Sequence, residues 1–137
     1  MSISFSASPL AELYASGSSR IRREFEATGD GRAAARARAD LVDAIIAKLY
    51  QELISPSADG PKDFCLVAVG GYGRRELFPH SDIDFVFLSP DGQGQSARRE
   101  AIATLARTLW DLRLRVGHSA RTLKECSQLQ RDNLEFN

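Results

Sequence analysis

The sequence predicts a small α/β domain in which helices pack against a single sheet. Residues 41–54 carry apolar side chains at helical spacing, whereas residues 64–69 and 83–88 are short apolar runs of strand length. A third strand-like segment, 115–122, follows a second helical pattern. With 137 residues, 43% of them hydrophobic and 26% charged, the chain has the composition of one ordinary globular domain.

The first 28 residues are expected to form an extension that is partly disordered or helical. Residues 1–8 are serine-rich and predicted to be disordered, and Pro9 is suited to open a helix that ends near Thr28. The Gly-Ser-Ser sequence at residues 17–19 argues against a continuous helix, because glycine disfavours a helix interior. We assign residues 29–137 to the main domain.

The second helix has the most regular pattern in the sequence. Asp30 is a suitable N-cap, because its carboxylate can accept a hydrogen bond from a free backbone N–H at the helix start. Asp43 falls on the predicted water-facing side, and residues 55–63 form a loop with two prolines. The residues predicted to be buried are Leu41, Val42, Ile45, Ile46, Leu49, Tyr50, Leu53 and Ile54.

Two strands and a short helix are predicted next. The strand over residues 64–69 ends at Gly70 and Gly71, which allow the backbone to turn sharply. Residues 72–77 are predicted to form a helical turn, and the second strand extends to Leu88.

The remaining elements are a turn, a helix, a strand and a helix. The turn is placed at residues 89–94, the helices at 95–112 and 123–133, and the strand at 115–122. The first of these helices has an apolar face that we expect to be buried, formed by Ile102, Leu105, Ala106, Leu109 and Trp110.

Two carboxylates at the start of the second strand are the first chemical feature. Side chains alternate along a strand, so Asp82 and Asp84 project from the same face while Ile83 points into the core. Two carboxylates on one face repel each other unless a cation neutralises them, and Mg²⁺ prefers hard oxygen ligands. The spacing predicts a magnesium site at the rim of the sheet; a solvated strand end is the alternative.

The glycines before this strand predict a phosphate site. Without a Cβ atom, Gly70 and Gly71 allow a ligand to approach the backbone, and free N–H groups at the start of a helical turn favour an anion. Beside a carboxylate pair, this indicates a nucleoside triphosphate site rather than a plain tight turn. Other glycine motifs do not fit: Glu76 stands where a dinucleotide fingerprint needs a third glycine, and no Gly-Lys-Ser/Thr follows to form a P-loop.

The same residues show a specific resemblance. Two glycines followed by Asp-x-Asp on a strand resemble the signature of the nucleotidyltransferase superfamily that includes DNA polymerase beta. Residues 70–84, GGYGRRELFPHSDID, are similar to the catalytic motif of the bacterial protein-PII uridylyltransferases. Residues 109–126 and 36–43 resemble the segments downstream and upstream of that motif, so the resemblance covers roughly residues 20–135.

The resemblance implies a nucleotidyltransferase, polymerase beta-like fold. This fold is a small mixed sheet flanked by helices, here preceded by one or two N-terminal helices. Enzymes of the family are much longer, with regulatory domains after the transferase. The main domain, residues 29–137, is therefore expected to be truncated at its C-terminal end.

Roles for six residues follow from the resemblance. Asp82 and Asp84 would be catalytic residues that hold one or two Mg²⁺ ions. Arg74 would stabilise the leaving group, and the predicted nucleotide-binding residues are Gly70, Gly71, Arg74 and Ser81. Superfamily members often have a third carboxylate on a later strand, but residues 116–122 offer His118 and no acid. The third ligand stays open, with Asp111, Glu125 and Asp132 as candidates by proximity in sequence.

The implied activity is Mg²⁺-dependent transfer of UMP from UTP to a PII-type signalling protein, with release of pyrophosphate. A non-catalytic nucleotide-binding regulatory module of the same fold is the alternative, and a ligand-free structural domain is a third possibility. The formal net charge is zero, which argues against a nucleic-acid-binding protein. Cys65 and Cys126 give no disulfide framework, and no signal peptide or membrane span is recognisable, so a cytoplasmic location is expected.

Overall fold

The structure of the chain is a computed structural model that describes residues 2–54, 64–90 and 98–132, with side chains described from residue 9 to residue 128 of these ranges. The predicted loop at 55–63 and most of the predicted turn at 89–94 lie outside the described residues. The helices are α1 (Ser2–Thr28), α2 (Gly31–Leu49), α3 (Gly70–Gly73), α4 (Arg99–Asp111) and α5 (Leu123–Asp132), and a π-helical turn, Tyr50–Ile54, continues α2. The strands are β1 (Cys65–Val69), β2 (Ile83–Ser89) and β3 (Val116–Thr122).

The three strands form one mixed sheet, as the resemblance implied. The order is β1-β2-β3, with β1 antiparallel and β3 parallel to the central strand β2. The middle of β2 shows the register: Phe85 lies between Ala68 of β1 and His118 of β3. Helix α4 lies between β2 and β3 along the chain, and the connection between parallel strands usually contains such a helix.

One face of this sheet is buried and the other is open. Along β2, every second side chain is buried, and Ile83, Phe85 and Phe87 are each 1% exposed or less. The two phenylalanine rings meet edge to face, with 5.6 Å between their centroids. The apolar side chains of α2 and α4 belong to the same core cluster, so both helices lie against the buried face.

Helix α1 begins earlier than predicted. It spans Ser2–Thr28, so the prediction that the helix opens at Pro9 is wrong, and residues 2–8, which were expected to be disordered, are helical. The helix is also continuous through Gly17. Leu10 and Ile21 are buried in the same core cluster as the apolar side of α2. The burial of these side chains explains why α1 tolerates a proline and a glycine, because packing outweighs intrinsic helix propensity.

Helix α2 follows its prediction closely. Asp30 caps it as expected, with its Oδ1 accepting a 3.0 Å hydrogen bond from the backbone N–H of Ala33. Of the eight residues predicted to be buried, only Tyr50 and Leu53 keep partial exposure. Both lie in the π-helical turn, where the tighter periodicity of α2 no longer applies.

Two later predictions need correction. The helical turn expected at residues 72–77 is a single turn at Gly70–Gly73, so it lies two residues earlier and is shorter. Trp110 is 54% exposed rather than in the core. It stands one residue beyond Leu109, at the margin of the apolar stripe of α4, and a step of one residue turns a side chain by about 100° around a helix.

We expect Phe87→Ala to lower the free energy of unfolding by about 3–5 kcal/mol, because this ring is fully buried between sheet and helices. Urea denaturation followed by circular dichroism measures the loss. Phe78→Ala is the matched control: its ring is 55% exposed, and the change should stay within about 0.5 kcal/mol. Equal losses in the two variants would contradict the described core.

Candidate active site

Asp84 lies on the open face of the sheet at the end nearest the glycine turn. It is the second residue of β2, between the buried side chains of Ile83 and Phe85. Across the sheet it pairs with Val69 of β1 and with Gly117 of β3. The alternation of β2 therefore directs this carboxylate away from the core, as the sequence predicted.

Asp82 lies immediately before β2 and is more exposed than Asp84. Its Oδ1 atom is 3.5 Å from Nε of Arg115, and both side chains are more than 60% exposed. A backbone hydrogen bond of 2.7 Å from Ile83 to the carbonyl of Arg115 holds the two segments side by side. Arg115 was not singled out from the sequence, because only the parallel pairing of β2 with β3 brings it to Asp82.

The glycine turn meets the carboxylate of Asp84. Gly70 has a φ of +62°, a conformation that other residues adopt at a cost, and a Cβ atom there would lie 3.4 Å from Oδ2 of Asp84. The backbone of the turn and the Asp84 carboxylate are thus in direct proximity. The structure brings together the two halves of the predicted site, which are separated by more than a dozen residues in sequence.

The turn is packed tightly against the end of β1. A Cβ atom at Gly73 would lie 2.7 Å from the backbone carbonyl oxygen of Ala68, so no larger residue fits without a shift of the main chain. The backbone N–H of Glu76 donates to the carbonyl of Gly71 at 2.9 Å and closes the turn. The sequence did not indicate this role of Gly73, because the approach of Ala68 is a tertiary contact.

Arg74 and Ser81 occupy the segment between the turn and β2. Nε of Arg74 is 3.1 Å from Oε1 of Glu76, and both side chains are exposed. Ser81 is half-buried, and its backbone N–H donates to the carbonyl of Phe78 at 3.0 Å. Both residues lie between the glycine turn and Asp82 along the chain; their contacts with nucleotide stay predictions.

A hydrogen-bond network fixes the glycine turn to helix α2. The hydroxyl of Tyr72 is buried and donates a 2.6 Å hydrogen bond to Oδ1 of Asp43. The guanidinium of Arg75 lies 3.2 Å from Oδ2 of the same carboxylate and forms a second ion pair with Asp40. Asp43, predicted to face water only, therefore connects the second helix to the turn.

This network also changes the acidity of Tyr72. Burial raises the pKa of its phenol above the ordinary value of 10.0, and the hydrogen bond to the negatively charged Asp43 raises it further. Tyr72 is thus a neutral donor at physiological pH.

The position of a third carboxylate stays open. Oε1 of Glu125 accepts a 2.8 Å hydrogen bond from the backbone N–H of Thr122, whose hydroxyl accepts one from the backbone N–H of Glu125; the pair caps α5. Asp111 is exposed at the end of α4, and the side chain of Asp132 is not described. Among the described side chains, no group of three or more His, Cys, Asp or Glu could hold a metal ion.

The side chain of His118 is positioned by an aromatic contact. Its imidazole stacks on Phe85 with 5.9 Å between the ring centroids and an interplanar angle of 15°. Since Phe85 belongs to the core row of β2, His118 lies on the face opposite Asp84. It is therefore remote from the carboxylate side of the sheet.

The carboxylate pair fits a hard divalent cation. Asp82 is exposed and Asp84 is half-buried, so both provide carboxylate oxygens that are at least partly accessible from solvent. Mg²⁺ is commonly bound by one or two carboxylates, with substrate phosphates and water completing its coordination. The residues present suit this binding mode, in which most ligands come from outside the protein.

A comparison with protein-family models matches residues 18–120 to the family described as "Putative nucleotidyltransferase DUF294". This match includes the glycine turn, both aspartates and the first five residues of β3. No solved structure matches the chain. Within the described residues, no helix is both long enough and apolar enough to cross a membrane.

Curated relatives give the same family relationship. The chain is 38% identical over 129 residues to the bifunctional uridylyltransferase/uridylyl-removing enzyme of Nitrosospira multiformis. The aligned region covers 90% of this chain and 14% of that protein. It is 42% identical over 111 residues to the protein of the same name from Aromatoleum aromaticum, covering 81% of this chain and 12% of the relative. The chain thus spans about one seventh of the length of these relatives or less.

We expect Tyr72→Phe to lower the free energy of unfolding by about 1 kcal/mol, because the variant loses one hydrogen bond to a carboxylate that keeps its contact with Arg75. Urea denaturation measures the change. In an Asp43→Ala background the same substitution should have no cost, since the hydroxyl then lacks its acceptor. Equal effects in both backgrounds would contradict the Tyr72–Asp43 bond.

The stability difference between the wild type and Tyr72→Phe should decrease in the alkaline range. The pKa of Tyr72 is higher in the folded state than in the unfolded chain, so its contribution is fully present below about pH 10. Above that pH the unfolded tyrosine ionises and the contribution is lost. Unfolding at about pH 8 and about pH 11 tests this, and an unchanged difference would contradict it.

Proposed function

We propose that this chain, which belongs to the DUF294 nucleotidyltransferase family, is the nucleotide-binding part of an enzyme that transfers a nucleoside monophosphate and releases pyrophosphate. One observation carries the proposal. The backbone of Gly70, at the end of β1, lies against the carboxylate of Asp84, at the start of β2. A triphosphate that approaches the glycine turn would therefore lie next to the carboxylates that suit a metal ion.

In this reaction, an acceptor hydroxyl oxygen forms a bond to the α-phosphorus of the nucleotide. The bond between that phosphorus and the oxygen bridging to the β-phosphate breaks, and pyrophosphate leaves with the electron pair. The hydroxyl proton passes to a nearby carboxylate or to solvent. Mg²⁺, when bound, would neutralise the phosphate charges and assist deprotonation of the hydroxyl.

The residues of the chain would orient the nucleotide and hold the metal ion. Asp82 and Asp84 would supply the carboxylate oxygens, and the backbone at Gly70 and Gly71 would contact phosphate oxygens. The hydroxyl of Ser81 is a further donor to phosphate. These groups act mainly by position and charge, which supply much of the catalysis in phosphoryl and nucleotidyl transfer.

Two arginines would interact with the negative charge of the triphosphate. We assign Arg74 to the leaving pyrophosphate, because it is exposed directly after the glycine turn. Arg115, already beside Asp82, is a further cation close to the carboxylates. A guanidinium can bind phosphate oxygens in a bidentate manner, which suits both positions.

UTP is the proposed donor and a PII-type regulatory protein the proposed acceptor, and the reaction would take place in the cytoplasm. The names of the relatives from Nitrosospira multiformis and Aromatoleum aromaticum support a uridylyl group. A net charge of zero suits a protein acceptor better than a nucleic acid.

A thermal-shift titration with Mg²⁺ and each of the four nucleoside triphosphates tests the site. We expect UTP to stabilise the wild type only when Mg²⁺ is present, by about 2.7 kcal/mol at a concentration 100 times Kd. The double variant Asp82→Asn/Asp84→Asn should not respond. Glu12→Gln, which removes one exposed carboxylate of α1 remote in sequence from the site, is the matched control and should respond like the wild type.

The transfer reaction is then measured as Mg²⁺-dependent pyrophosphate release with a PII-type protein as acceptor. Full activity in Asp82→Asn would contradict the proposed mechanism. Binding of UTP without any product would instead support a non-catalytic nucleotide-binding module. If none of the four nucleotides stabilises the protein, both the transferase and the non-catalytic nucleotide-binding module are contradicted.

A further inference from the structure

Gly117 of β3 occupies a position in direct contact with Asp84. It is the parallel-strand partner of Asp84 and therefore shares the open face of the sheet with it. A Cβ atom at Gly117 would lie 2.7 Å from Oδ1 of Asp84, closer than Cβ atoms approach other atoms in proteins. The carboxylate thus extends across the backbone of β3 at the point where a side chain is missing.

The second oxygen of Asp84 has a similar neighbour on the other side. Oδ2 lies 3.4 Å from the Cβ position of Gly70. The two carboxylate oxygens therefore lie against two glycines, one from the turn after β1 and one from β3. The contact at Gly117 is the tighter of the two.

We propose that Gly117 is a positioning residue for Asp84: the missing side chain allows the carboxylate to lie across β3 in the orientation that binds the metal–nucleotide complex. The proposal rests on the proposed function and extends it to a residue on the third strand. With alanine at position 117, the methyl carbon would lie 2.7 Å from Oδ1, too close for both atoms to keep their positions. The carboxylate would then have to rotate away from β3.

The requirement for glycine comes from Asp84 and not from the backbone of β3. Gly117 does not have a positive φ, so an L-residue fits its strand conformation. Among the described residues, and apart from the chain neighbours of Gly117, the only atom that would come within 3.4 Å of an added Cβ is Oδ1 of Asp84; the next, Cγ of Asp84, is at 3.9 Å. Since glycine weakens a strand interior, alanine would otherwise be tolerated or favourable here.

A thermal-unfolding cycle tests this dependence without any ligand. Gly117→Ala should lower Tm when Asp84 is present, and it should leave Tm unchanged or raise it in an Asp84→Ala background. Ser119→Ala is the control, because Ser119 lies on the same face of β3 but pairs with Val86. Its effect should be the same in both backgrounds.

Calorimetric titration of the same variants with Mg²⁺ and UTP tests the functional part. Gly117→Ala should weaken binding by about 10–100-fold, the range typical of changes to groups that orient metal ligands. In the Asp84→Ala background it should cause no further loss, since the carboxylate it acts through is gone. Gly31→Ala, where an added Cβ meets no atom closer than 4.0 Å, should leave the affinity unchanged.

The outcomes separate this proposal from the proposed function. A wild type that binds no Mg²⁺–nucleotide complex contradicts both. A wild type that binds, together with a Gly117→Ala variant of equal affinity, overturns the positioning role alone, as does the same loss of Tm in both backgrounds. The positioning role is supported if Gly117→Ala weakens binding when Asp84 is present and has no effect on binding in the Asp84→Ala background.

Discussion

The central strand β2 must bury one row of side chains and leave the other open, and the rest of the domain depends on this constraint. Ile83, Phe85 and Phe87 fill the core between sheet and helices. Because side chains alternate strictly, Asp84 is then on the open face, and a shift in register by one residue would bury its charge. The hydrophobic core thus fixes the direction of the candidate catalytic carboxylate.

The glycine turn is held in place from two independent sides. Gly73 packs against the backbone of β1, and Tyr72 and Arg75 connect the turn to Asp43 of α2. A hydrogen bond donated by a buried phenol and an ion pair at the surface together restrict how far the turn can move. Such restriction suits a backbone that has to contact phosphates, since binding groups held in position lose less entropy when a ligand arrives.

Charge at the candidate site is balanced locally rather than by an overall basic surface. The formal net charge of the chain is zero, and Arg74 and Arg115 both lie beside acidic groups. A site of this kind would bind a triphosphate through a few directed contacts and a metal ion. It does not provide the broad positive potential with which proteins bind nucleic acids.

The sequence by itself determined the main elements, the α2 core stripe and the Asp30 cap, because these depend on short-range periodicity and local hydrogen bonds. It also indicated the glycines and aspartates, whose spacing is local. Only the tertiary structure decided which residues meet these groups. The continuity of α1 through Pro9 and Gly17 depends on packing against α2, and the exposure of Trp110 depends on how α4 is rotated. The contacts of Asp43 with Tyr72, of Arg115 with Asp82 and of Gly117 with Asp84 join residues at least 29 positions apart. No periodicity reveals such contacts, because they arise from strand register and helix packing.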